Sequence, residues 1–84
     1  MLTVDVKCVA SELTPGLVDG EYNIEDGATV RDLIALCAEK CGVVPVPPEN
    51  FAFMFPLFNG KPLTVDGAIT KDGILHICRI VLGG

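Results

Sequence analysis

"DGATVRDLIALCAEKCG", residues 26–42, decides the fold, because it carries the clear helical signature of the chain. Val30, Leu33, Ile34, Cys37 and Cys41 recur at spacings of three and four, which places them on one side of a helix, with Leu36 widening the stripe. Thr29 suits an N-cap. Asp32, three residues on, occupies the capping-box position, where its carboxylate also meets the positive end of the helix. Lys40 falls in the last turn and Gly42 supplies the stop. An amphipathic helix has to bury its stripe, so the flanking segments must supply an apolar surface.

They read as strands. Thr3 to Val9 alternates, with Val4, Val6 and Cys8 on one side and Asp5 and Lys7 on the other. Turn pairs Pro15-Gly16 and Asp19-Gly20 lead to a second strand over Glu21 to Glu25, hairpin-paired to the first. After the helix, "VVPVPPEN" (43–50) reads as a loop, because its prolines fix φ and remove donors. "FAFMFPLF" (51–58) reads as a strand closed by the Asn59-Gly60 turn, and Pro56 argues for an edge, a bulge or a break within it. Leu63, Val65 and Ile69 anchor a short irregular link, and the last strand runs from Ile74 to Val81. A helix after a hairpin, followed by strands, packs on one face of a mixed sheet, and it provides the crossover that lets the first and last strands pair in parallel. The expectation is therefore an α+β, β-grasp (ubiquitin-like) fold: a mixed four- to five-stranded sheet with one main helix on one face.

At 84 residues the chain has room for a single domain, 1–84, and it must bury its apolar half efficiently. The formal net charge is −5, and the basic residues Lys7, Arg31, Lys40, Lys61, Lys71 and Arg79 are scattered singly. Without a basic stripe, no nucleic-acid partner is expected. No apolar run approaches the roughly 20 residues that span a bilayer, so no membrane partner is expected. The N-terminal "MLTVDVKCV" lacks the charged and apolar regions of a signal peptide, which points to a cytoplasmic protein.

Cys8, Cys37, Cys41 and Cys78 contain no C-x-x-C pair. They read as small core hydrophobes; the alternative is a four-thiolate zinc site drawing Cys8 and Cys78 from strands to the helical pair. The expectation is no metal. His76 and Cys78 share a strand face, but no orienting third residue and no oxyanion hole accompany them, so the chain is not expected to be an enzyme. Asp66, Asp72 and Glu49 read as solvated turn residues. Gly16, Gly20 and Gly27 fit no phosphate motif.

"LFNGKPL" (57–63), "ITKDGILHI" (69–77) and the closing "LGG" (82–84) resemble the ubiquitin-like sulfur carriers of molybdopterin and thiazole synthesis. "LHICRIVLGG" (75–84) is also similar to the last strand and Gly-Gly ending of ubiquitin. Length and the Pro-rich loop favour the molybdopterin type, the small subunit of a synthase. Ile80-Val81 stands where such members usually carry Pro-Pro, which leaves the thiazole type or another sulfur metabolite open.

The resemblance implies a protein cosubstrate whose working part is the Gly84 carboxylate. An E1-like adenylyltransferase would adenylate it with ATP and Mg, a sulfur donor would convert it to a thiocarboxylate, and a synthase subunit would accept the sulfur. No cofactor would be bound by the chain itself. Gly83 and Gly84 lack a Cβ, so such an ending can enter a narrow channel and adopt angles closed to other residues. Residues 79–84 would form a flexible tail. The family analogy also places Leu75 and Ile77 toward the helix, and Leu57, His76 and Cys78 on the open face. With Arg79, Ile80, Val81 and Leu82 these form the expected partner-binding surface. Phe51, Phe53, Phe55 and Phe58 are expected in the core. The alternatives are a ubiquitin-like modifier conjugated through Gly84 and a non-catalytic β-grasp interaction domain.

Overall fold

The computed structural model describes residues 1–81; Leu82, Gly83 and Gly84 lie outside the described residues. Five strands and one α-helix run in the order β1 (Leu2–Cys8), β2 (Gly20–Ile24), α1 (Val30–Cys41), a 3-10 helix (Pro48–Phe53), β3 (Met54–Phe58), β4 (Lys61–Pro62) and β5 (Gly73–Arg79). They form one sheet in the order β2-β1-β5-β3-β4. β1 and β5 are parallel at its centre, and the other neighbours are antiparallel. This is the mixed β-grasp sheet expected from the element order.

The helix begins where its cap dictates. Thr29 Oγ1 accepts from Asp32 N–H at 3.1 Å, and Asp32 Oδ2 accepts from Thr29 N–H at 3.0 Å, so two donors without intrahelical partners are satisfied reciprocally. At the other end Gly42 adopts φ 69°, a left-handed conformation that costs glycine little. The stripe Val30, Leu33, Ile34 and Cys37 is buried in one core with Val4 and Val6 of β1 and Leu75 and Ile77 of β5, and Ala38 is buried beside it. Ile69 is fully buried, and Leu63 and Val65 pack on the same core from the link between β4 and β5.

Three expectations need correction. Residues 51–53 are not strand: the chain turns into the 3-10 helix at Pro48, whose fixed φ suits a first helical position, and β3 starts only at Met54. Part of the Pro-rich loop is therefore regular. Phe53 and Phe55 are not core: they are 45% and 43% exposed, while Phe51 and Phe58 pack against the core from its margin. The last strand does not run from Ile74 to Val81: it starts at Gly73 and ends at Arg79, while β4 supplies the fifth strand with two residues, too few to give a period.

Pro56 tolerates a strand because of its register. Asn59 N–H donates to Ile74 C=O and Ile80 N–H donates to Phe53 C=O, which puts the hydrogen-bonded pairs with β5 at odd-numbered positions. The missing donor of Pro56 therefore faces β4, where the ladder ends, while its carbonyl accepts from Leu63 N–H at 3.0 Å. Among the described residues no helix is long and apolar enough to cross a membrane.

Candidate functional site

The helix covers one face of the sheet and leaves the other open. Alternation assigns the sides. Leu75 and Ile77 are fully buried under the helix, so His76 and Cys78 point the other way. Leu57 lies directly opposite His76, and Phe55 opposite Cys78, so all four share the open face. Ile74, 43% exposed, precedes His76 on the same side.

The open face has two halves. Over β1 and β2 it is polar: Asp5 and Lys7 pair at 3.5 Å, and Thr3 Oγ1 donates to Asn23 Oδ1 at 3.1 Å. Over β5, β3 and β4 it is mostly apolar, with Ile74, Cys78, Phe55, Leu57 and Pro62 surrounding His76. His76 sits on the seam, between Lys7 across β1 and Leu57 across β3. An apolar strip rimmed by polar groups is the kind of surface that partners cover.

β5 carries the chain out along this strip. Ala10 N–H donates to Ile77 C=O at 3.0 Å on one flank, and Ile80 N–H donates to Phe53 C=O at 2.8 Å on the other. Arg79 is thus the last strand residue rather than the start of a free segment. Arg79 lies opposite buried Met54 and so belongs to the helix side, not with His76 and Cys78. Its guanidinium lies 3.6 Å from the Glu12 carboxylate and 5.6 Å from the centre of the Phe53 ring. Ile80, Val81, Arg79 and Phe55 line a cleft of about 290 Å³ where the strand ends, and Val81 is 88% exposed.

The structure therefore places Leu57, His76 and Cys78 on the open face, sets Ile80 and Val81 in the cleft at its end, and puts Arg79 on the helix side of that cleft. Leu82, Gly83 and Gly84, the remaining expected site residues, lie outside the described residues. Phe55 and Ile74 are additions that sequence reasoning missed. Both alternate with residues already assigned to the open face, Leu57 and His76, and that periodicity was the available signal.

The cysteines divide between the two faces. Cys8 is paired with Ile77 and shares its helix-facing side, whereas Cys78 faces outward, so the four thiols cannot converge on one metal. Among the described residues no three His, Cys, Asp or Glu side chains group as metal ligands. Burial pushes the Cys37 thiol from 9.0 to about 12, and burial also raises Cys8. Tyr22 Oη donates to Val18 C=O at 2.7 Å and lies 3.4 Å from the Cys41 sulfur. That contact, with burial, raises the Tyr22 phenol above its usual range. Cys8, Cys37 and Tyr22 are packing residues held in their neutral forms.

No family model matches the chain, and no curated protein matches it. Among solved structures, it is similar to a Pyrococcus furiosus protein described as molybdopterin converting factor, subunit 1. The TM-score is 0.62 at 20% identity, over 96% of this chain and 100% of the other. At that identity the likeness shows the shared fold, over nearly the whole chain.

Proposed function

We propose that the chain is a sulfur carrier, a protein cosubstrate activated at the Gly84 carboxylate. The observation that carries this reading is the exit of β5. The central strand leads the chain past Ile80 beside the apolar half of the open face, so a partner covering Phe55, Leu57, His76 and Cys78 has the C-terminal residues in reach. The molybdopterin-type fold of the similar structure and the closing Gly83-Gly84 support it.

A carboxylate is a poor acyl donor until it is activated. An E1-like adenylyltransferase would supply ATP and Mg; the carboxylate oxygen attacks the α-phosphate, pyrophosphate leaves, and a sulfur nucleophile then displaces AMP. This chain contributes docking and reach. Docking on the rigid sheet fixes where the last residues begin, which turns an encounter between carboxylate and nucleotide into a positioned one. The resulting thiocarboxylate would pass its sulfur to an acceptor held by a synthase subunit, with a molybdopterin precursor favoured.

Intact mass of the protein isolated from its own cells, with fragmentation, tests the reading. Exchange of one oxygen for sulfur at Gly84 supports it. An isopeptide bond from Gly84 to lysine would favour the modifier instead. A chain whose pathway function survives loss of Gly83-Gly84 would be an interaction domain.

A further inference from the structure

Round the β4 edge from the open face, Phe58, Asn59, Lys61, Leu63, Thr70 and Lys71 help line a cleft of about 370 Å³. Lys61 lies opposite Phe58, whose partner Leu75 is buried under the helix, so the cleft opens on the helix side of the sheet. We propose that this cleft is a docking site for a short segment of a partner protein that joins a carboxylate to an apolar side chain.

Charge complementarity selects that occupant. The chain has 11 acidic residues against six basic ones, yet among the described residues no carboxylate lines the cleft. The acids nearest in sequence are engaged elsewhere. Asp72 accepts from Thr3 N–H at 2.9 Å, and Asp66 is held by Arg31 at 3.0 Å. Lys7, Arg31 and Arg79 each have an acidic partner, whereas among the described residues no ion pair engages Lys61 or Lys71. Two lysines thus line one concavity with no counter-charge among the described residues, in a molecule of net charge −5.

The walls suit a peptide. Phe58, Pro62 and Leu63 offer apolar contact beside the lysines, and Thr70 adds a hydroxyl. Phosphate sites usually gather backbone N–H groups at a helix start, and no first-turn residue of α1 lines this cleft. The back wall is fixed: Asn59 Oδ1 accepts from Ile74 N–H at 2.9 Å, and the Asn59 side chain and Phe58 ring pack so closely on Gly73 that a Cβ there would collide with both. A preformed wall lowers the ordering cost of binding.

Titration of the isotopically labelled full chain with an acetylated, amidated Glu-Leu-Glu peptide, followed by amide NMR, tests the proposal. Saturable shifts confined to Asn59, Lys61, Thr70, Lys71 and their neighbours are expected. The dissociation constant should rise about threefold or more between roughly 50 and 200 mM salt, as screening of two charges requires. The matched Gln-Leu-Gln peptide should produce no such shifts. A Lys61→Gln/Lys71→Gln variant should lose them while Lys40→Gln keeps them. Shifts that persist in the double variant, or that the uncharged peptide reproduces, overturn the proposal. Equal shifts with inorganic phosphate replace the peptide with a small anion and overturn it too. The probe needs neither Gly84 nor an activating enzyme, so the outcome is independent of the sulfur-carrier reading.

Discussion

Leu57 and His76 stand directly opposite each other on β3 and β5, on the sheet face that the helix leaves uncovered. Leu57 is half-buried without being part of the core under the helix. Its substitution can therefore separate docking from folding. Leu57→Asp places a carboxylate in the middle of the apolar strip, where a covering partner would have to desolvate it. Adenylation by the activating partner, measured as pyrophosphate release, should fall about tenfold or more, while the thermal midpoint moves by only a few degrees, roughly. Undiminished activation would remove Leu57 from the docking surface.

The capping box makes a second, purely structural prediction. Thr29 and Asp32 each satisfy one backbone donor of the other, so removing either leaves one donor unpaired and weakens the second bond. Thr29→Ala and Asp32→Ala should each cost about 1 kcal/mol. The double variant should cost less than the two added together, because the partners act as a unit. Urea midpoints at constant m-value read this directly, and strict additivity would mean that the two bonds are independent.

What could be read from the sequence follows from how local each signal is. The helix and its caps were legible because Thr29, Asp32 and Gly42 lie within a turn of the backbone groups they serve. The central parallel pair was legible because the helix between β1 and β5 supplies the crossover that parallel pairing needs. Phe51 and Phe53 misled because they alternate with Ala52 as a strand would. The competing signal was Pro47-Pro48, where Asn50 N–H donates back to Pro47 C=O at 3.0 Å and winds the chain into the 3-10 helix. Phe55 misled differently. Its type argues for burial, but its parity with Leu57 places it outside, and in a strand parity decides. The Lys61–Lys71 cleft was not legible, since the two lysines lie ten positions apart in different segments and only the folded chain brings them to one concavity.

Gly73 tests the junction of β5 with the Asn59-Gly60 turn. A Cβ there would collide with the Asn59 amide and the Phe58 ring. Asn59 is also held in a left-handed conformation, φ 52°, while its side chain caps Ile74 N–H, so it has little room to move. Gly73→Ala should destabilise by about 1–3 kcal/mol through overpacking. The amide signals of Asn59 and Ile74 should shift most in the variant's spectrum. A neutral substitution would show that the turn can yield.

The Cys37 thiol links stability to alkaline pH. Its folded value of about 12 lies above the 9.0 of an unburied thiol, so the folded state keeps its proton where the unfolded state has lost it. The unfolded state then binds fewer protons, and stability falls as pH rises from about 9 toward 12. Below that window this contribution is fully present. Cys37→Ala should flatten the pH dependence of the urea midpoint in that range, while costing packing energy at neutral pH. A slope unchanged by the substitution would assign the alkaline loss to other groups, with Cys8, also raised, the next to replace.

Deleting Gly83-Gly84 separates the ending from the fold. Among the described residues the last backbone group tied to the sheet is Ile80 N–H on Phe53 C=O, and Val81 beyond it is 88% exposed. A shortened chain should therefore melt within about a degree or two of the full one, since residues beyond the last strand of a domain generally contribute little to its stability. Open-face docking should persist, because Phe55, Leu57, His76 and Cys78 are unaltered. Adenylation should vanish completely rather than decline, because the reacting carboxylate no longer reaches the nucleotide. That pattern of intact folding, intact docking and absent chemistry is expected of a cosubstrate. If the shortened chain still rescues its pathway, the sulfur-carrier reading is wrong and the open face alone is the functional surface.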